Sequence, residues 1–220
     1  MKFLIVSATR FEIEPFFNKM DSMNSVNSNH FFANYKHHQI DFLITGVGMV
    51  ATAFYLAKML SNNYDFAINA GICGSFNKNI DVGTVVNIYE DIFSELGAED
   101  GESFLTLEEL KLPGTQKVKT TPLPFKNNLI ELLPKVTGVT VNTTHGNEKS
   151  IEKVVQLFHP FVESMEGAAF IYSCEKEKTP CIQLRAVSNY VEKRNKEAWN
   201  IPLAIENLNT HLIAILNDFN

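Results

Sequence analysis

Four short segments carry the residue types that could do chemistry, and each is reached through an apolar run. Phe3-Leu4-Ile5-Val6 leads into Ser7-Ala8-Thr9-Arg10-Phe11-Glu12-Ile13-Glu14. A carboxylate at the end of a buried strand can act as a general base, although acids at a helix start also satisfy the helix dipole with no chemistry. Gly46-Val47-Gly48 and Gly71-Ile72-Cys73-Gly74 put glycines where backbone amides can approach a ligand closely. Their spacing is not a Walker loop, a dinucleotide fingerprint would need glycine where Ala51 stands, and ligand-free turns explain them as well.

Val162-Glu163-Ser164-Met165-Glu166-Gly167-Ala168-Ala169 brings Glu166 to the mouth of a helix of small residues. A carboxylate there can accept two hydrogen bonds from a vicinal diol, or serve only as a helix-start acid. In Leu184-Arg185-Ala186-Val187-Ser188-Asn189-Tyr190, Arg185 sits inside an apolar run and requires a carboxylate partner, a structural role. Asn189 opens a polar loop, where asparagine is an ordinary turn former.

Alternating elements have to position these segments. Short apolar runs predict strands at Phe3–Val6, Asp65–Ala70, Thr84–Tyr89, Val139–Val141, Phe161–Val162 and Cys181–Val187. His30–Tyr35 and Gln39–Thr45 form a predicted hairpin, preceded by a turn over Asp21–Asn29. Helices are predicted over Phe11–Met20, from Met49 (Met49, Ala53, Leu56 and Leu60 on one face), from about Ser150, from Gly167 and from Pro202, where Leu208, Leu212, Ile215 and Phe219 share a face. Residues 91–121 lose this pattern and read as a long loop. The rhythm predicts an α/β domain with a central mixed β-sheet between helices.

Composition narrows the function. The chain has 220 residues, 45% of them hydrophobic, enough for a substantial core in one domain spanning 1–220. Nineteen Lys and Arg against 25 Asp and Glu argue against a nucleic-acid partner, which needs clustered cations. No apolar run approaches the length of a membrane span, so no membrane partner is expected. Cys73, Cys174 and Cys181 lack metal or disulfide spacing, which favours a reduced cytoplasmic compartment. His30, His37, His38, His159 and His211 show no ligand spacing either, so neither metal nor cofactor is expected.

Taken together, Glu12, Gly46-x-Gly48, Asn69-Ala70-Gly71-x-x-Gly74, Val82-Gly83-Thr84, Ser164-Met165-Glu166-Gly167-Ala168 and Arg185-Ala186-Val187-Ser188-Asn189 resemble the nucleoside phosphorylase/nucleosidase superfamily over nearly the whole chain. The resemblance implies a three-layer α/β/α sandwich, nucleoside phosphorylase-like. Val141-Asn142-Thr143, Glu163 to Gly167, Ser188-Asn189-Tyr190-Val191 and Trp199-Asn200-Ile201-Pro202 are similar to the futalosine hydrolase branch, which releases hypoxanthine from futalosine in an alternative menaquinone pathway.

By that resemblance Glu12 orients and deprotonates water, Glu166 holds the ribose 2′ and 3′ hydroxyls above Met165, and Asn189 reads the purine. Ser188 and Gly74 edge the site, as does Thr144. Ile72 presents an apolar side chain where phosphate-binding relatives carry a hydroxyl. Trp199 and Phe104 are candidate walls for a benzoate-bearing tail, with Lys193 or Arg194 for its carboxylate, while His145 reads as a solvated loop residue. Arg10 alone among the arginines is placed like a phosphate ligand, so hydrolysis is favoured over phosphorolysis. Asn189, as an amide rather than an acid, favours a 6-oxopurine over adenine. The implied partners are a small nucleoside and water, with a homodimer in which 91–121 reaches a neighbouring site. A methylthioadenosine/S-adenosylhomocysteine nucleosidase, a purine nucleoside phosphorylase and a non-catalytic nucleoside-binding relative remain the alternatives.

Overall fold

Side chains that enter two different cores in alternation along the continuously buried first strand set the layers. In the computed structural model, which describes residues 1–20, 22–62 and 64–219, Phe3 and Ile5 enter one core while Leu4 and Val6 enter another. Asp21, at the start of the predicted turn, and Asn220, at the end of the predicted domain, lie outside the described residues. Because both faces of the strand are covered, the run is apolar without a gap.

The first half of the chain forms β1 (Lys2–Ser7), α1 (Arg10–Phe17), β2 (Met23–Ser25), β3 (His30–Tyr35), β4 (His38–Ile44), α2 (Met49–Met59), β5 (Phe66–Ser75) and β6 (Val85–Phe93). The second half adds β7 (Gly97–Asp100), β8 (Ser103–Thr106), β9 (Lys117–Lys119), α3 (Asn128–Leu132), β10 (Lys135–Thr140), α4 (Glu148–Phe158), β11 (Val162–Ser164), α5 (Gly167–Lys176), β12 (Cys181–Tyr190) and α6 (Ile201–Asn217). The main sheet runs β11-β10-β6-β12-β5-β1-β4-β3-β2, with β9 on β6. It is mixed: β12, β1 and β5 are parallel neighbours, whereas β12 meets β6 antiparallel. β11 also pairs antiparallel with β5, so β5, β12, β6, β10 and β11 close on themselves.

One core joins Phe3, Ile5, Phe66, Ile68, Ile182 and Leu184 to α1 and α6 through Ile13, Phe16, Leu208 and Leu212. The opposite core joins Leu4, Val6 and Ala67 to α2 and α5 through Leu56, Phe170 and Ile171. This is the expected α/β/α arrangement. Asn200 caps α6 by accepting from Leu203 N–H, with Pro202 in the first turn.

Several boundaries differ from the sequence expectation. The segment 91–121 is not a loop: it completes β6, forms the β7–β8 hairpin around Gly101 (φ +63°) and returns as β9. The hairpin is mostly solvent-facing, so no buried face imposes a readable alternation on it. β5 continues past Ala70 to Ser75, because Gly71 and Gly74 are strand residues rather than turn residues. α1 stops at Phe17 instead of Met20, and β2 occupies part of the predicted turn.

Inside the closed portion of the sheet lies a carboxylate with no solvent. Asp91, in β6, accepts from Thr140 Oγ1 (2.9 Å), Gln183 Nε2 (3.1 Å) and its neighbour Ile92 N–H (2.8 Å). Burial outweighs these donors and the nearby Arg185, pushing the Asp91 carboxyl up to about 6. A folded-state value above the unfolded one gives stability that is complete below the unfolded value near 3.8 and lost as pH rises through about 6. Gln183 Oε1, buried with no partner among the described residues, can turn over to accept from an amide at position 91. Asp91→Asn should therefore gain on the wild type in thermal unfolding as pH is raised from 4 to 7, by up to about 3 kcal/mol. A difference that stays flat over that range contradicts this reading.

Candidate active site

A cavity of about 360 Å³ opens where β1, β5, β11 and β12 end, between the starts of α1 and α5. Strand ends in α/β sheets are the usual place for a ligand. Glu12, Ile72, Gly74, Thr144, Met165 and Glu166 line it, as do Ser188, Asn189, Arg194 and Trp199.

Glu12 is buried and held by four donors. Its Oε2 accepts from Ser7 Oγ (3.2 Å), Thr9 N–H (3.0 Å) and Thr9 Oγ1 (2.9 Å). Among the described residues its Oε1 accepts only from Ile72 N–H (3.1 Å), which leaves that oxygen room for a further donor. The Asn209 carboxamide of α6 steadies the turn beneath, bridging Phe16 N–H (3.0 Å) and Glu12 C=O (2.8 Å), groups that an α-helix ordinarily joins to each other.

Glu166 stands at the N-cap of α5. Gly48 N–H donates to its Oε1 (3.1 Å), and Arg185 Nη1 lies 3.3 Å from its Oε2. Arg185 thus has the carboxylate partner that its burial requires. It also donates to Asn69 Oδ1 (2.6 Å) and Ile72 C=O (3.3 Å). The approach depends on Gly71, where a Cβ would come within 2.3 Å of Arg185 Nη1 and 2.9 Å of Glu12 Oε1. Cys73 lines the same cavity, but burial pushes its thiol up to about 12, so it stays protonated.

At the far end, Asn189 Nδ2 donates to Tyr190 C=O (2.9 Å) and its Oδ1 accepts from Ser188 Oγ (2.8 Å). Each end of the amide keeps one bonding position. In the sheet register Asn189 lies beside Gly74, and Gly74 lies opposite Glu163. At the mouth, the Arg194 guanidinium stacks 5.1 Å from the Trp199 ring. Phe11 and Val47, 63% and 57% exposed, form an apolar lip there.

Three expectations are corrected. Phe104 does not reach this cavity: the β7–β8 hairpin turns it onto α4, edge-on to Phe158 (6.3 Å), where it lines a second cavity. Arg10 is not free for phosphate, because its guanidinium binds Glu14 twice (3.0 and 3.1 Å) and covers the Phe17 ring at 4.2 Å. His145 is not a solvated loop residue: it lines the cavity, its backbone N–H donates to Glu163 Oε1 (3.0 Å), and its Nδ1 is hydrogen-bonded to Glu163 Oε2. Of the two cations considered for the tail, Arg194 lines the cavity and Lys193 does not.

Glu163 belongs to the Glu163–Gly167 motif, in which the sequence alone assigns it no role. A buried strand acid demands a partner, and the parallel β10–β11 pairing, Thr140 beside Ser164, carries the chain after β10 to it. His145 was the nearest titratable side chain in that stretch.

Comparison with known proteins gives the chain's family and fold. The futalosine hydrolase of Streptomyces coelicolor is 28% identical over 178 residues, covering 75% of this chain and 73% of that protein. The aminodeoxyfutalosine nucleosidase of Campylobacter jejuni is 24% identical, covering 86% of each. The native structure of futalosine hydrolase from Helicobacter pylori strain 26695 superposes with a TM-score of 0.84 at 16% identity, covering 100% of this chain and 98% of that one. The phosphorylase superfamily matches residues 2–218, and the chain belongs to that superfamily.

Proposed function

We propose that this protein hydrolyses the N-ribosidic bond of a 6-oxopurine nucleoside, with futalosine as the substrate and hypoxanthine as the released base. The observation that carries it is one cavity lined by two buried carboxylates, Glu12 and Glu166, and by an amide, Asn189; we assign the carboxylates to the sugar and the amide to the base. The relatives named futalosine hydrolase support the choice of substrate.

N-ribosyl cleavage develops an oxocarbenium-like cation, so fixed negative charge near the sugar lowers the barrier. Glu166, charge-balanced by Arg185, receives the 2′ and 3′ hydroxyls over Met165. Glu12 Oε1, the oxygen with spare capacity, takes the proton of the attacking water. Asn189 offers its unused N–H to O6 and its unused lone pair to a protonated N7. The Arg194–Trp199 stack at the mouth suits an aromatic tail bearing a carboxylate.

The same reading includes a second copy of the chain. Val50 and Phe54, 82% and 52% exposed, lie one turn apart on α2, an apolar surface suited to a homodimer. The three cysteines are free and buried, which supports a reducing, cytoplasmic setting.

Hypoxanthine release from futalosine, compared with base release from inosine and methylthioadenosine, tests the assignment, with futalosine expected to be preferred. Glu12→Gln should lower kcat by ~10²–10⁴-fold with little change in KM; near-normal turnover in a folded variant would take Glu12 out of the chemistry. Asn189→Asp should lose at least ~10²-fold of its preference for 6-oxopurine over 6-aminopurine nucleosides. An unchanged ratio of kcat/KM values would defeat the assignment of the base.

A further inference from the structure

The pair His145–Glu163 has no part in the chemistry above, yet it stands at the base end of the cavity. Gly74 lies between Asn189 on one side and Glu163 on the other in the sheet register, so the imidazole held by Glu163 faces the same space as the amide. Glu163 is buried, and the His145 side chain is 15% exposed. Phe76 meets the imidazole ring edge-on at 6.2 Å.

Two bonds fix the histidine. Its own backbone N–H takes Glu163 Oε1, and its Nδ1 takes Oε2. A carboxylate can only accept, so Nδ1 must carry the proton. In the neutral ring Nε2 is then left as an acceptor.

From this we infer that His145 is a specificity-determining residue that reads the N1 position of the purine, with Glu163 as the positioning residue that sets its tautomer. The inference rests on the 6-oxopurine reading above. A 6-oxopurine in its lactam form presents a donor, N1–H, which an Nε2 acceptor matches. Adenine presents a bare N1 acceptor, which Nε2 opposes. Asn189 and His145 together then match the donor–acceptor pattern of O6 and N1–H, and mispairing a site built for specific hydrogen bonds is strongly discriminating.

The geometry makes an unusual demand on Glu163→Gln. The backbone N–H of His145 would hold the new amide's oxygen, turning its NH₂ towards Nδ1. Nδ1 must then accept, the proton moves to Nε2, and the ring presents a donor at N1. This reverses the preference instead of merely weakening it, which a packing role would not do.

The test is equilibrium binding of free hypoxanthine and free adenine, followed by calorimetry, to wild type, His145→Leu and Glu163→Gln, with thermal unfolding to show that each variant is folded. Wild type should favour hypoxanthine by ~10–100-fold. His145→Leu should lose most of that ratio, and Glu163→Gln should move it towards adenine. A ratio unchanged in His145→Leu overturns the role of His145, and that variant alone decides the matter should Glu163→Gln not fold. A folded Glu163→Gln with the wild-type ratio overturns the tautomer argument. Wild-type protein that binds adenine more tightly would instead overturn the 6-oxopurine reading, and this inference with it.

Discussion

A guanidinium buried in the middle of a sheet is the constraint around which this molecule is arranged. Arg185 is 1% exposed, and removing such a charge from water costs several kcal/mol unless it is matched. Glu166, Asn69 Oδ1 and the Ile72 carbonyl supply the match, and Gly71 leaves the space. Glu166 is therefore tied by an ion pair to the sheet at the start of α5. The ion pair that satisfies the fold also holds in position Glu166, the group we propose binds the sugar. Asp91, Thr140 and the Ala168 amide continue the polar seam behind it, with Thr140 Oγ1 accepting from Ala168 N–H (2.7 Å) at the start of α5.

The division of labour in the cavity follows. Arg185 is committed to Glu166 and Arg10 to Glu14, and Arg194 stacks on Trp199. A phosphate dianion placed beside Glu12 would meet a carboxylate, whereas a water molecule would meet an acceptor already oriented by four donors. The groups we assign to the base have fixed direction: Asn189 is an amide tethered at both ends, and His145 is an imidazole tethered to a buried acid.

Much of this was legible in the sequence, and the reasons differ by residue. Apolar runs bounded by polar segments revealed the buried strands, because a strand covered on both faces has no polar alternation to blur. Arg185 within such a run already implied an acidic partner, though not which one. Glu12, Glu166 and Asn189 stood out only in combination, since each alone has an ordinary helix-start or turn explanation. What could not be read were contacts set by three-dimensional closure. The pairing of β11 with β5 brings Glu163 and His145 to the cavity, and no local spacing encodes it. Arg10 stands where a phosphate ligand would, but its i,i+4 partner Glu14 claims it. Phe104 followed an exposed hairpin whose sequence carries no buried face.

Phosphorus NMR during turnover of the 6-oxopurine nucleoside in phosphate buffer bears most directly on the claim that the buried pair leaves water, and not phosphate, as the nucleophile. The expected result is release of free base in full yield with the inorganic phosphate resonance undiminished and the rate independent of phosphate concentration. Appearance of a sugar 1-phosphate resonance in step with the base would contradict it.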